Sequence, residues 1–447
     1  MTTKLRLRLK EMAESIPESA GRRLTWVPFS LRLGGGYRRA RRAIERTKLE
    51  DPAKREQRLF VQLRTLLRHA AENVQFFRDF YRSKGFKVQD FRSVQDWALI
   101  PVVSKAELQT SPLAMRSATG LKSKKYNTGG TSGQPLEFML DDDAFAREWA
   151  HMHRIWMPHG YRPSHLKVTL RGKHFDCSIP LRYNAVHNEL VVNANARIEE
   201  VIAAVLALPC SIVVRWVHGY PSLVAEFAHA LREVSPADAG NFRSRLYGVL
   251  LGSEYPAPVY RDVIEATLTS NVVCWYGHSE MALLAPETAR GLYESLPTYG
   301  FAEAVADDGV PHHRLVCTSL HNYAHPFIRY DTGDLVAPIS QRGGSLAFRI
   351  AEGRVGDFVT DRQGKRHSLT AIIFGRHHPA FELLHHLQVR QDGPGAVSLL
   401  VTPRCPSFDV VALRSGLDLD DLDFDWRIEP VTEPVRTAAG KIRLLVS

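Results

Sequence analysis

The chain has 447 residues, of which 44% are hydrophobic and 24% are charged, as in an ordinary globular protein. A chain of this length outgrows a single hydrophobic core, so two domains are expected. No apolar run approaches the roughly 18 residues that span a bilayer, and the amino terminus lacks the apolar region of a signal peptide. We therefore expect a cytoplasmic protein. The five cysteines are scattered without a Cys-x-x-Cys pair, which argues against a disulfide framework and a thiolate zinc site.

The net charge of +10 is concentrated at the amino terminus, where residues 1–50 contain 13 Lys or Arg and 5 Asp or Glu, a surplus of +8. This basic arm includes the run Arg38-Arg39-Ala40-Arg41-Arg42, whose charges suit anionic lipid head groups, an acidic polymer or nucleic acid. A solvated helix face is the alternative, and we favour it. Aromatic residues do not alternate with the charges as they do in single-strand binders, so nucleic acid is not an expected partner.

Three helix signals precede the middle of the chain. Apolar residues at three- and four-residue steps predict a helix over residues 54–82. Ser104, followed three residues later by Glu107, predicts a capped helix start. Asp141-Asp142-Asp143 predicts the start of another helix, because acidic side chains suit its positive end.

From about residue 165 to 335, short apolar runs alternate with helical patterns, which predicts βαβ units and a largely parallel, helix-covered sheet. The predicted strands are Lys167–Leu170, Leu190–Val192, Ile212–Val217, Tyr247–Leu251, Val272–Trp275 and Arg314–Thr318, and the predicted helices are 198–208, 221–233 and 257–269. Ligands bind outside the carboxyl ends of the strands in such sheets. The residues that follow these strands are therefore candidates for a site.

A cluster of glycines at Gly343, Gly344, Gly353 and Gly356 predicts a domain boundary. We expect a basic arm over 1–50, a large α/β domain over 51–352 and a small α+β domain over 353–447, joined by a hinge. The small domain contains a predicted hairpin, in which 387–391 and 396–401 flank the turn Asp392-Gly393-Pro394-Gly395.

The stretch Thr128-Gly129-Gly130-Thr131-Ser132-Gly133-Gln134-Pro135 combines glycines with hydroxyl side chains. Consecutive backbone N–H groups in such a loop form a concavity for anions, to which the hydroxyls add donors. We interpret it as a phosphate-binding loop, and a glycine-rich surface turn is an equally simple alternative. It has neither the Lys of a P-loop nor the G-x-G-x-x-G spacing.

Four further segments carry candidate chemistry. Gly252-Ser253-Glu254 and Tyr276-Gly277-His278-Ser279-Glu280 follow predicted strands, and Glu280 is a candidate ligand for Mg²⁺. In Tyr330-Asp331-Thr332-Gly333-Asp334 an Asp can accept hydrogen bonds from a ribose diol, or it can simply cap a turn. Lys441 follows a small, flexible segment near the carboxyl terminus. Considered one at a time, these residues are ordinary surface or core-edge groups.

Two histidines at strand ends, His218 and His278, and the neighbouring rings Tyr220 and Trp275 are candidates to contact a substrate carboxylate. A structural role for either histidine is the alternative. The paired histidines elsewhere in the chain do not predict zinc, because adjacent residues on a helix point apart and no Cys or acid accompanies them at ligand spacing.

The order of these motifs resembles the adenylate-forming superfamily, which includes acyl-CoA synthetases, peptide-synthetase adenylation domains and luciferases. The glycine loop and His218-Gly219-Tyr220-Pro221-Ser222 are similar to the phenylacetate–CoA ligase-like branch associated with capsular polysaccharide biosynthesis. The resemblance covers residues 50–447. It implies a large multi-sheet domain and a small carboxyl-terminal domain that rotates on a hinge. It also implies ATP-dependent activation of a carboxylic acid as an acyl-adenylate, followed by acyl transfer.

The resemblance also implies a role for each motif residue. Thr128, Gly129, Gly130, Thr131, Ser132 and Gly133 would hold the ATP phosphates, and Ser279 would touch phosphate. Gly252, Ser253, Glu254, Tyr276 and Gly277 would line the adenine, and Asp334 and Arg354 would hold the ribose. Glu280 would bind Mg²⁺, and Lys441 would meet the charge that develops between the carboxylate and the α-phosphate.

The sequence departs from this pattern in three places. Leu136 stands where many members have a Lys, and Gly356 stands where many have an acidic hinge residue. The stretch 358–365 fits only loosely, which weakens the case for coenzyme A as acceptor. An amine or hydroxyl of a sugar or polymer intermediate is the other acceptor. Such an acceptor would explain the basic arm as a surface that contacts an acidic glycan or the inner membrane face.

The competing hypothesis is a non-catalytic, nucleotide-binding or scaffold component of a polysaccharide-synthesis complex. Retention of both Glu280 and Lys441 argues against it, because a chain that performs no catalysis has no reason to keep either. The acid itself and the oligomeric state are not readable from the sequence.

Overall fold

The structure is a computed structural model. It describes residues 21, 27–47, 50–127, 136–173, 175, 179–194, 196–234, 236–306, 312–352, 358–364, 366–369, 373, 380, 383–405, 409–417, 419, 422–436, 442 and 444–446. The chain divides into two compact units. Unit one contains Met1–Arg32, Trp156–Cys274 and Asp357–Ser447, and unit two contains Leu33–Ile155 and Trp275–Gly356. The predicted boundaries at 50/51 and 352/353 stay predictions.

The helices and strands of the described residues are numbered here in chain order. The helices are α1 (Phe29–Arg32), α2 (Gly34–Thr47), α3 (Pro52–Asn73), α4 (Gln75–Ser83), α5 (Lys105–Gln109), α6 (Ala144–Trp156), α7 (Ile198–Leu206), α8 (Pro221–Glu233), α9 (Pro236–Arg245), α10 (Pro258–Thr267) and α11 (Val410–Ser415).

The strands are β1 (Ser123–Asn127), β2 (Glu137–Asp141), β3 (Leu166–Lys173), β4 (Leu181–Asn184), β5 (Glu189–Asn193), β6 (Val214–Gly219), β7 (Gly248–Leu251), β8 (Val272–Gly277), β9 (Leu284–Ala289), β10 (Leu292–Glu294), β11 (Gly300–Val305), β12 (His313–Ser319), β13 (Tyr330–Arg342), β14 (Ser345–Glu352), β15 (Phe358–Thr360), β16 (Arg366–Ser368), β17 (Leu384–Gly393), β18 (Ala396–Pro403), β19 (Asp425–Pro430) and β20 (Leu445–Val446).

Unit one is built on a parallel sheet. Strands β5, β3, β6, β7 and the first half of β8 pair side by side in parallel, with β4 added antiparallel at the edge. Helices α7, α8 and α10 lie between the strands in sequence, and residues such as Val217, Val224 and Ile264 pack into one buried core. The predicted βαβ units are confirmed for this part of the chain.

Unit two contains an antiparallel sheet, which corrects the expectation of a largely parallel sheet up to residue 335. The predicted strand Arg314–Thr318 is part of β12, which pairs antiparallel with both β11 and β13. Parallel strands need a crossover of a dozen or more residues, and the connections within 284–352 are shorter. Gly343 and Gly344, with φ of 55° and 80°, form the two-residue turn between β13 and β14, so these glycines serve a hairpin.

Two helix predictions have different outcomes. The predicted helix over 54–82 is two helices, because Val74 is extended at φ −121° and ψ 113° and ends α3 before α4 begins. The capping box at Ser104 is confirmed, since the Glu107 amide donates to Ser104 Oγ (3.1 Å) and the Ser104 amide donates to the Glu107 carboxylate (2.8 Å).

The basic run lies on α2, within unit two. Tyr37, Ala40 and Ile44 are buried, and the Tyr37 hydroxyl contacts His153 Nδ1 of α6 at 2.7 Å. Arg38 and Arg42 are exposed on the opposite face. Among the described residues, no helix is long and apolar enough to cross a membrane.

The carboxyl-terminal segment of unit one has its own sheet and core. Strands β17 and β18 form the predicted hairpin, β19 pairs in parallel with β18, and β20 pairs in parallel with β17. Val389, Leu399 and Leu413 are fully buried beneath this sheet.

Candidate functional site

In unit one, the segment Gly252-Ser253-Glu254 follows β7 and reaches the first turn of α8. Glu254 Oε2 accepts hydrogen bonds from the Ser222 amide (3.2 Å) and from Ser222 Oγ (2.7 Å). Backbone N–H groups in the first turn of a helix have no partner within the helix and favour negative charge. Glu254 therefore caps α8 and fixes the segment to it.

An arginine that the sequence analysis missed lies beside this segment. Arg171, near the carboxyl end of β3, donates from Nη2 to Ser253 Oγ (3.1 Å), and its guanidinium lies 5.9 Å from the centre of the Tyr220 ring. Ser253 has a φ of 71°, a conformation that costs a non-glycine residue free energy. Arg171 directly follows the predicted strand Lys167–Leu170, and this place at a strand end was the signal that could have identified it.

His218, at the end of β6, is buried, and its ring lies edge-on to Trp156 with the centroids 5.3 Å apart. Burial, together with the nearby charges of Arg171 and Lys167, holds the pKa of His218 well below its ordinary value. The ring is therefore neutral at physiological pH. Tyr220 is also buried, and burial raises its pKa, so its hydroxyl stays protonated.

In unit two, the structure brings Tyr276 and Asp334 together. The Tyr276 hydroxyl, at the end of β8, donates a short hydrogen bond to the Asp334 carboxylate. The other acid of the turn, Asp331, accepts from the Gly333 amide (2.9 Å) and from Arg314 Nη1 (3.0 Å). The two acids thus differ in role, since Asp331 stabilises its own turn, whereas Asp334 accepts a hydrogen bond from the hydroxyl of Tyr276 in the neighbouring motif.

Glu280 is also part of unit two, and it is buried with a side-chain exposure of 9%. Its Oε1 accepts from the Tyr330 hydroxyl (3.1 Å), and its Oε2 lies 3.1 Å from His278 Nδ1. The His278 and Tyr276 rings meet edge-on with centroids 6.4 Å apart, so the hydrogen-bonded pairs Tyr276–Asp334 and Tyr330–Glu280 belong to one group of neighbouring polar side chains.

The buried thiol of Cys317 completes this group, with Sγ 3.5 Å from His278 Nε2. Burial and the surrounding carboxylates of Glu280 and Asp331 raise the pKa of Cys317 well above its ordinary value, so the thiol keeps its proton. It can therefore donate weakly to Nε2. Neither Cys317 nor Tyr330 was identified as a site residue from the sequence.

Glu280 supplies a buried carboxylate to this group. A single carboxylate is a common protein contribution to a Mg²⁺ site, in which substrate phosphates supply other oxygen ligands. The described residues contain no group of three or more His, Cys, Asp or Glu side chains that could bind a metal ion.

Trp275, Ser279 and Gly277 are the remaining candidates within the described residues, and the other candidates lie outside them. Trp275 is buried and Ser279 is exposed. At Gly277 a side chain would come within 3.1 Å of Leu284, so the glycine suits a tight strand pairing. Thr128–Gly133, Arg354 and Lys441 lie outside the described residues, and their roles stay predictions.

Neither a protein-family profile nor a curated protein sequence matched the chain. Solved structures of 2-hydroxyisobutyryl-CoA ligase are similar to it. One, in the postadenylation state in complex with R3-HIB-AMP, is 18% identical with a TM-score of 0.65, over 88% of this chain and 90% of that chain. Another, an open conformation in complex with 2-HIB-AMP and CoA, is 19% identical with a TM-score of 0.53, over 88% and 92%. The chain therefore has the mixed α/β fold of the adenylate-forming ligases, with a large sheet and a smaller separate one.

Proposed function

We propose that this protein activates a carboxylic acid with ATP, forming an acyl-adenylate and pyrophosphate, and then transfers the acyl group to an acceptor. The main support is the pair of carboxylates, Asp334 and Glu280, that tyrosine hydroxyls hold within one polar group of a chain with the adenylate-forming fold. The similar ligase structures contain acyl-AMP and CoA, which are the product of the first step and one acceptor for the second.

The chemistry of the first step explains why these residue types are needed. A carboxylate that attacks the α-phosphate must overcome repulsion between like charges. Lys441 and the donors of Thr128–Gly133 would stabilise the charge that develops at the phosphate oxygens. Asp334 would accept hydrogen bonds from the ribose, with Arg354 beside it. Glu280 would hold Mg²⁺, which, when bound, neutralises phosphate charge and orients the leaving pyrophosphate.

The adenine would lie against Tyr276 and the backbone of Gly252-Ser253-Glu254, and Ser279 would contact phosphate. In this role Glu254 acts through its hydrogen bonds to Ser222, which fix the segment to α8. The acid would lie near His218, Tyr220, Trp275 and His278. Because His218 is neutral, it would act as a hydrogen-bonding partner of the acid and supply no full charge.

The acceptor is coenzyme A or an amine or hydroxyl of a sugar or polymer intermediate. The phenylacetate–CoA ligase-like motifs and their association with capsular polysaccharide biosynthesis favour the second acceptor. The exposed arginines of α2 would then suit an acidic glycan or an anionic membrane surface, with the protein in the cytoplasm and peripheral to the inner membrane face.

The experiment that tests this function is ATP–pyrophosphate exchange with a panel of carboxylic acids, using the full chain. We expect at least one acid to stimulate incorporation of labelled pyrophosphate into ATP. Parallel assays of AMP release, with and without coenzyme A, would identify the acceptor class. Absence of exchange across a broad panel of acids would contradict the proposal.

A further inference from the structure

One face of the parallel sheet of unit one is polar. On β3, Val168 and Leu170 pack into the apolar core that the sheet shares with α8. Because successive side chains of a strand point to opposite faces, Lys167 and Thr169 lie on the other face. His218 of β6 is in register with Thr169, and it is on that face as well. All three polar residues are buried, so this face is part of the interior.

The two charges deepest on this polar face offset each other. Lys167 Nζ lies 3.0 Å from Glu189 Oε2 on the neighbouring strand β5. Glu189 also accepts hydrogen bonds from Thr169 Oγ1 (2.8 Å) and from Asn184 Nδ2 (3.0 Å). Burial opposes ionisation of Glu189, but the nearby charge of Lys167 outweighs it and lowers the pKa of the carboxyl. Lys167 and Glu189 therefore form a buried ion pair with no net charge.

Arg171, further along β3, adds a positive charge that no acidic side chain offsets within the described part of the chain. Its contacts are with neutral groups: Nη2 donates to Ser253 Oγ (3.1 Å), and the guanidinium lies 5.9 Å from the centre of the Tyr220 ring. Burial raises the pKa of Tyr220, so this ring keeps its proton. Glu254, the acid next to Ser253, directs Oε2 to the Ser222 amide. Arg171 itself stays charged, because a guanidinium is not deprotonated in proteins.

This charge lies where ligands bind in sheets of this kind. Arg171 is near the carboxyl end of β3, Tyr220 directly follows β6, and Ser253 follows β7. These three strands are adjacent and parallel, so their carboxyl ends meet at one edge of the sheet. Ligands of open α/β sheets bind outside that edge. Arg171 is half-buried there, and a negatively charged group of a ligand would complement it.

The reacting carboxylate of the acid is a poor partner for Arg171. That carboxylate loses its negative charge as its oxygen bonds to the α-phosphorus. A cation fixed against it would stabilise the bound acid more than the transition state, which would raise the barrier to reaction. A second anionic group of the acid takes no part in bond formation and keeps its charge throughout. An arginine that binds this second group selects the acid without slowing the reaction.

We propose that Arg171 is a specificity-determining residue, which binds a second carboxylate of the acid, so that the substrate is a dicarboxylic acid. The inference rests on the proposed function, because it names the class of acid that the same site would activate. The planar fork of N–H donors on a guanidinium matches a carboxylate through two parallel hydrogen bonds. Ser253 and Tyr220 would orient that fork.

The test is ATP–pyrophosphate exchange by the full chain with a series of straight-chain dicarboxylic acids, each compared with its monoamide. The monoamide keeps one reacting carboxylate and replaces the second by a neutral group of similar size. For the best dicarboxylic acid we expect kcat/KM to exceed that of its monoamide at least about tenfold, the contribution of a hydrogen-bonded charge.

Variants of Arg171 assign this preference to the residue. Arg171→Gln should lower kcat/KM for the dicarboxylic acid to about that of the monoamide, while the value for the monoamide stays within about threefold of wild type. Arg171→Lys should keep part of the preference, because the charge remains and the fork is lost. Arg215→Gln is the matched control, since Arg215 lies near the amino end of β6 with its guanidinium 4.5 Å from the centre of the Tyr247 ring. It should keep the full preference.

The preference ratio separates a role in selecting the acid from a structural role, which would lower kcat/KM for both compounds alike. Exchange with monocarboxylic acids and no preference for any dicarboxylic acid would overturn the inference and leave the proposed function standing. A rise in KM for ATP in Arg171→Gln, with the preference unchanged, would assign the arginine to ATP phosphate and also overturn it.

Binding measured by calorimetry decides the inference even if the proposed function fails. If no acid supports exchange in wild type, the proposed function is contradicted. Tighter binding of a dicarboxylic acid than of its monoamide, lost in Arg171→Gln and kept in Arg215→Gln, would still place the second carboxylate at Arg171. Equal binding of the two compounds to wild type would overturn that assignment.

Discussion

At the scale of single residues, the candidate site depends on hydroxyl groups that orient carboxylates. Tyr276 holds Asp334, and Tyr330 holds Glu280. The motifs identified Tyr276, Asp334 and Glu280 as site residues, because each of these residues belongs to a glycine-containing segment near a strand end. The motifs did not identify Arg171, Cys317 or Tyr330 as site residues, because their contacts are made by residues distant in sequence.

Removal of the Tyr276 hydroxyl should weaken the binding of ATP. Tyr276→Phe keeps the ring but removes the hydroxyl that donates to Asp334, so the carboxylate is less well oriented for the ribose. We expect KM for ATP to rise about 3- to 10-fold, with kcat within about twofold of wild type. Tyr247→Phe, which removes the hydroxyl of an exposed ring, is the control. Equal KM values for Tyr276→Phe and wild type would argue against a nucleotide role for this pair.

Lys441 should act on the chemical step. Lys441→Ala removes the cation that would meet the developing negative charge, so we expect kcat of adenylation to fall at least about 100-fold. Binding of ATP, measured by calorimetry, should change little. Lys84→Ala removes an exposed lysine elsewhere and should retain full activity. Unchanged turnover in Lys441→Ala would exclude this lysine from the mechanism.

At the scale of elements, the sequence identified the helices and strands whose apolar or capping pattern lies within the segment itself. The strands and helices of unit one follow from apolar runs alternating with amphipathic segments, and Ser104 and Glu107 carry their own capping signal. The break at Val74 has no such signal, because apolar spacing continues across it. The antiparallel pairing of β9–β14 also depends on short connections and distant partners, which apolar runs alone do not encode.

Helix α8 should lose stability when its cap is removed. Glu254→Gln keeps the shape of the side chain but replaces a charged acceptor near the positive end of the helix with a neutral amide. We expect the free energy of unfolding, measured in urea, to fall by about 1–2 kcal/mol. Glu72→Gln, an exposed residue of α3, should change it by less than about 0.5 kcal/mol. Equal stability of Glu254→Gln and wild type would show that the contacts with Ser222 contribute little.

At the scale of the whole molecule, buried neutral histidines make stability depend on pH. Burial lowers the pKa of His151 and His325 in unit two, and of His187 in unit one, to about 3 in each case. The unfolded chain binds a proton at each near pH 6.5, whereas the folded chain does not until about pH 3. Stability from these groups is therefore full above pH 6.5 and is lost as the pH falls below it.

The effect can be measured at one residue. Each such histidine should lower the free energy of unfolding by about 1.4 kcal/mol per pH unit between pH 6 and 4. His325 lies among Phe138 and Phe327, with Nδ1 3.1 Å from Ser117 Oγ. His325→Phe places an apolar ring in this aromatic group. The unfolding free energy of this variant should depend less steeply on pH than that of wild type, because the variant lacks the one proton that His325 binds on unfolding. The same pH dependence as wild type would contradict the assignment of a neutral His325.

The central claim is that a carboxylate oxygen attacks the α-phosphate of ATP. It is tested most directly with an acid labelled with ¹⁸O in its carboxylate, once the exchange assay has identified a substrate. In an acyl-adenylate one carboxylate oxygen bridges to the α-phosphorus, and transfer of the acyl group breaks the carbon–oxygen bond. We therefore predict that one ¹⁸O atom appears in AMP, detected by mass spectrometry. Label found in inorganic phosphate with ADP as the other product, or AMP that carries no label, would contradict the account.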